Sequence, residues 1–213
     1  MKLNLISVAV CAALLFPTLS QAESDINTPT PANGTASARL DFRVTIPRIL
    51  FLQVGTGTPF VNALNGTNLN LIDFVVTPAN LGGGPITATP TSGDLGAGAV
   101  TVRVFGNDGA IGLTSTTTGN LTNAAGDTIP WTEIAVAPAA GTASGVFQSV
   151  SIPHPTFVSG LTSPPVSLTA TAKVVRSAGT WTYTFANSAP YAAGTYGGVG
   201  VLNGRVTYTA TLP

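Results

Sequence analysis

The chain has 213 residues, eight Lys or Arg against eight Asp or Glu, and charged side chains at only 8% of positions. A chain so near neutrality carries no electrostatic footprint for nucleic acid or for an anionic lipid surface. Its single cysteine, Cys11, lies in the first apolar stretch, so everything after it must fold without disulfides or thiolate metal sites.

Lys2, the apolar run 5–16 and Ser20-Gln21-Ala22 read as a secretory signal peptide over residues 1–22, with cleavage expected before Glu23. The apolar run is shorter than the ~20 residues needed to span a bilayer. Without Lys2 there remain seven basic and eight acidic residues, a net charge of −1. Residues 23–36 (ESDINTPTPANGTA) form a polar, proline-rich leader, expected to be extended or disordered. No proline- or serine-rich linker divides the rest of the chain, so a single domain is expected over residues 37–213.

That domain is a succession of strand signals punctuated by Gly, Asn and Pro, with no 3.6-residue apolar period. In 37–46, Leu40, Phe42, Val44 and Ile46 alternate with Arg39, Asp41, Arg43 and Thr45, which predicts a strand with one dry face. Pro47 marks a break or a handover between sheets. Strands are then predicted over 49–54, 68–76, 100–104, 111–113, 128–136, 145–152, 166–174, 181–185 and 205–212. Asn107-Asp108-Gly109 is a hairpin turn signal. In 68–76 the apolar parity switches, which predicts a bulge or burial on both faces. Residues 77–98 read as a loop. Strands at this spacing predict an all-β fold, a sandwich of two antiparallel sheets.

Chemistry is sparse. His154 is the sole histidine and lies between Pro153 and Pro155, so it reads as an exposed loop residue rather than a ligand or a base. Asp41, Asp73, Asp94, Asp108, Asp127 and Glu133 are scattered, and only a spatial pairing could build a hydrolase site from them. Gly82-Gly83-Gly84-Pro85 lacks the lysine and the helix of a phosphate loop. The sequons at Asn33, Asn65 and Asn120 read better as turn chemistry. Trp131, Trp181 and Tyr191 are candidates for an exposed aromatic ligand platform, against a reading of the tryptophans as core aromatics. No catalytic residue, cofactor or metal is expected.

Several segments taken in order carry a resemblance: ARLDFRVTIP, RILFLQVGTG, LNLIDFVVTP, AVTVRVFGNDGAIGLTS, IPWTEIAV, then AAGTYGG ahead of the terminal GRVTYTATLP. This order resembles the major subunits of chaperone–usher fimbriae, nearest the cysteine-free colonisation-factor type. The resemblance implies an immunoglobulin-like sandwich lacking one strand in the monomer. It implies an exported subunit of a surface fibre supporting adhesion, passing through the periplasm to the cell surface. It implies a periplasmic chaperone, an outer-membrane usher and identical head-to-tail subunits as partners. Residues 37–46 would then be the donor strand, with Leu40, Phe42, Val44 and Ile46 as anchors in a neighbour's groove. The same segment also reads as an ordinary core strand of its own domain. A monomeric secreted sandwich that binds carbohydrate or a surface protein is the alternative function.

Overall fold

The computed structural model describes residues 24–28, 33–61 and 69–213. The expected signal peptide therefore lies outside the described residues. The chain divides into two units, Met1–Ile46 and Pro47–Pro213. In the first unit the described residues form no strand. Residues 33–46 are exposed along their whole length, so the strand predicted over 37–46 is not a core strand.

Among the described residues the second unit is all-β apart from one short 3-10 turn, Trp131–Glu133. Its strands are β1 (Leu50–Val54), β2 (Ile86–Thr87), β3 (Ala99–Gly106), β4 (Ile111–Thr117), β5 (Leu121–Thr122), β6 (Thr128–Ile129), β7 (Ile134–Ala140), β8 (Gln148–Ser149), β9 (Val166–Leu168), β10 (Val175–Phe185) and β11 (Val206–Thr211). The larger sheet runs β1-β3-β10-β2, with β7 and β8 also paired to β10. The second runs β11-β4-β9, and β5 pairs with β6 in a two-stranded ribbon.

Cross-strand partners share a face, so the registers define what points inward. In the larger sheet Val54 is opposite Val102, which is opposite Gly179, and Leu52 is opposite Val104, which is opposite Ser177. Trp181 is opposite both Val100 on β3 and Pro138 on β7. In the second sheet Ala210 is opposite Leu113, which is opposite Val166, and Tyr208 is opposite Ser115. The two inner rows meet in one core, where Val102, Val104, Ile111, Leu113, Ile152 and Trp181 are completely buried. A smaller cluster of Ile86, Ile129 and Phe185 gathers Phe74, Tyr191 and Tyr196 around it.

Four local expectations are corrected. Asn107-Asp108-Gly109 does not close a hairpin: β3 and β4 belong to different sheets, and the turn carries the chain between them. The Asn107 side chain is used elsewhere, on Pro47 and Ile49, while Gly109 (φ +117) donates to the Lys173 carbonyl. The described part of 68–76 is an extended run outside any strand, in which Ile72, Phe74 and Val76 are half-buried and Leu71, Asp73 and Val75 are exposed. One parity faces the core, so neither a bulge nor two-sided burial is present there. Residues 166–174 hold a three-residue strand, because Ala172 (φ +49) and Lys173 (φ +65) enter the left-handed region and turn the chain into β10. The strand predicted over 145–152 shortens to Gln148–Ser149.

β10 also begins six residues earlier than 181–185, taking in Arg176-Ser177-Ala178-Gly179-Thr180. Gly179 lies where two other chain segments press on the strand. A Cβ there would sit 3.1 Å from the Val150 carbonyl oxygen and 3.2 Å from that of Ala139. Gly179→Ala should therefore destabilise the fold by about 1–3 kcal/mol, read as a lower denaturant midpoint.

Candidate assembly surface

β1 and β11 end their respective sheets, and they lie close together across the sandwich. Among the described residues each is hydrogen-bonded on one side only, β1 to β3 and β11 to β4. Their inward side chains, Leu52 and Val54 on one and Val206, Tyr208 and Ala210 on the other, are only half-buried. The inward valines of β3 and the Ile111 and Leu113 of β4 are 0–3% exposed. Ile72 and Phe74 extend the first wall and Leu212 the second. This margin joins two unpaired strand edges to an incompletely covered apolar lining, the combination that accepts an added strand.

The opposite margin differs. β7 carries Pro138, which has no N–H to give to a ladder. There Trp131, Ile134, Val136, Pro138, His154 and Phe157 line a cavity of about 370 Å³.

Residues 47–49, at the start of the second unit, are held by the β3–β4 turn. Asn107 Nδ2 donates to the Pro47 carbonyl at 2.7 Å, and Asn107 Oδ1 accepts from Ile49 N–H at 2.8 Å. Arg48 pairs with Asp108 at 2.8 Å and also donates to the backbone oxygen of Pro213, just beyond β11. Residues 47–49 and the end of β11 thus share one clasp built on the β3–β4 turn.

His154, predicted to be exposed, is half-buried instead. Its ring stands edge-on to Trp181 and Phe157, with centroids 4.6 and 4.7 Å away. Its Nε2 bonds the Tyr208 hydroxyl at 2.7 Å, and Tyr208 bonds the Tyr183 hydroxyl at 2.9 Å. Burial pushes His154 down to about 4 and Tyr183 upward. Trp181 donates its Nε1–H to the Ile152 carbonyl at 2.7 Å.

The structure does not bring Trp131, Trp181 and Tyr191 together. Trp181 is completely buried and cannot present a face to a ligand. Trp131 is 7% exposed, donates to the Gly119 carbonyl and packs on Phe157. Tyr191 packs against Phe185 beside Glu133. Burial acts to raise the Glu133 carboxyl, but hydrogen bonds from the Ser188 side chain and backbone and from Tyr191 outweigh it, and its pKa falls.

Three other carboxylates have structural partners: Asp94 takes the Thr101 N–H, Asp108 pairs with Arg48 and Asp127 takes the Asn123 amide. Among the described residues no group of three or more His, Cys, Asp or Glu could hold a metal ion, and no helix is long and apolar enough to cross a membrane.

The clasp residues Arg48 and Asn107 and the His154–Tyr208 joint carry almost no local signal. The one trace of them in the sequence is the Asn-Asp-Gly turn, whose side-chain partners lie about 60 residues away. Comparison with family models, curated proteins and solved structures finds no match.

Two measurements test this geometry. Asn107→Ala removes both bonds to residues 47–49 and should cost about 1–3 kcal/mol of stability in a denaturant titration. His154 is neutral in the folded chain down to about pH 4, whereas the unfolded chain takes up a proton near 6.5. The unfolded state therefore binds more protons between those values. Up to roughly 3 kcal/mol of stability should be present above pH 6.5 and be lost as pH falls to 4. Thermal melts across that range should show the slope, and His154→Gln should flatten it.

Proposed function

We propose that this chain is a structural subunit of an exported surface fibre, assembled by strand addition. The arm 37–46 of one copy enters the β1/β11 margin of the next. The observation that carries the reading is the exposure of four large apolar side chains at strand spacing. Leu40, Phe42, Val44 and Ile46 are 66%, 83%, 84% and 76% exposed. Four such anchors in sequence are costly to leave in water unless another surface covers them.

The match in size supports this. Seven residues from Leu40 to Ile46 extend over roughly 20 Å, close to the length of β11. The added strand would pair its backbone with an open edge and set its anchors against Leu52, Val54, Tyr208 and Ala210. Full burial of the four would contribute about 6–12 kcal/mol before ordering costs. Such a joint needs no disulfide, metal or catalytic group. An immunoglobulin-like sandwich completed by the partner's strand, a periplasmic chaperone that protects the margin before assembly, and an outer-membrane usher belong to the same proposal.

The test is a competition. The chain beginning at Glu23 should self-associate in sedimentation velocity, and excess peptide copying residues 37–47 should shorten the assemblies. A peptide carrying Phe42→Ala should need about ten times the concentration or more. Assemblies indifferent to the peptide, or a strictly monomeric chain, would defeat the proposal.

A further inference from the structure

Arg103 occupies the middle of β3 on the outer face of the larger sheet, between Gln53 on β1 and Ala178 on β10. Its guanidinium is held from two sides. The Phe147 ring lies against it, with its centroid 5.8 Å from Cζ. Gln53 Oε1 accepts a bond from Nη1 at 3.3 Å, and Gln53 is itself tethered by donation to the Gly55 and Gly57 carbonyls.

A guanidinium has five N–H donors. Here the Nε–H is buried without an acceptor, and no carboxylate pairs with Arg103 among the described residues. A buried donor without a partner is expensive, and a charged one more so.

Beside the guanidinium opens a hollow of about 130 Å³. Ala178, the residue opposite Arg103 on the neighbouring strand, is small and leaves this space unfilled. Thr101, Thr142 and Thr180 stand around it, and their hydroxyls have no protein partner among the described residues. Asp94, on the neighbouring turn, already has one oxygen on the Thr101 N–H.

We propose that this hollow is an oxyanion site whose ligand is a carboxylate, bound by Arg103 and by threonine hydroxyls. The guanidinium plane matches a carboxylate, and charge-assisted bonds are the strong ones. The volume suits one small oxyanion and lies below the 300–1,000 Å³ of sites for larger organic ligands. The carboxylate can be free in solution or carried on an acidic peptide. The site is separate from the assembly margin, and its success or failure does not bear on that proposal.

The Arg103 Nε–H resonance of the chain from Glu23 should be followed at constant ionic strength. Three titrants are compared: acetate, a terminally blocked Gly-Glu-Gly peptide and chloride. Saturable shifts are expected with the two carboxylates and none with chloride. Tighter binding of acetate identifies a free carboxylate as the ligand, and tighter binding of the peptide identifies a protein side chain. Arg103→Gln, followed through neighbouring backbone amides, should abolish saturation. Thr180→Val keeps the arginine and should weaken acetate binding roughly tenfold. Shifts that never saturate, that chloride reproduces, or that persist unchanged in both variants would overturn the assignment.

Discussion

The fold depends on one strand. β10 carries the ladders to β3, β2, β7 and β8, and only β1 joins the larger sheet through another strand. Its partners change along its length: on one side β3 gives way to β2, and on the other β8 and β7 succeed each other. The requirement behind this is close backbone approach. Ala178 is buried, and a Cβ on Gly179 would come within 3.1–3.2 Å of two carbonyl oxygens, closer than ordinary van der Waals contact. β10 then widens into Trp181, Tyr183 and Phe185, which fill both apolar clusters. Small residues thus give the strand its neighbours, and large ones give the domain its core.

The two sheets are joined by more than apolar contact. Trp181 on β10 donates to Ile152, and His154 leads from that segment to Tyr208 on β11, which bonds back to Tyr183 on β10. Polar tips on aromatic bodies let a buried junction remain hydrogen-bonded while it contributes large apolar area. The same arrangement keeps the histidine neutral, because a charge there would lose its hydration. A chain without disulfides in this core has its second sheet positioned by that joint.

β11 serves two structural purposes. Its inward side contributes Tyr208 to the joint, while its outer edge is left unpaired beside β1. The clasp through Arg48, Asp108 and Asn107 ties the end of β11 to residues 47–49. In the assembly we propose, residues 47–49, which follow the arm, and the edge a subunit presents to the next are therefore held by one turn. The Arg103 hollow lies on the outer face of the other sheet, where loop residues such as Thr142 and Phe147 come over the strands.

Alternation in the sequence was sufficient to establish the all-β class, because a period of two is a property of the backbone itself. It identified β3, β4 and β11, and it marked Leu40, Phe42, Val44 and Ile46 as one row. It also singled out Pro47, beside which the two units divide. Other features could not be read locally. Arg176–Thr180 shows no apolar alternation, yet it lies in β10 with other segments pressing on Gly179. Val166–Val174 alternates well, yet Ala172 and Lys173 break it. Asn107-Asp108-Gly109 has hairpin chemistry but joins two sheets. His154 between two prolines is drawn inward by the neighbouring Phe157 and by aromatic residues from two distant strands, β10 and β11. Local pattern sets which faces of the chain are apolar. Which of those faces find a partner within the chain, and which remain open along β1, β11 and the arm, depends on contacts between residues far apart in sequence, and only the tertiary structure decides it.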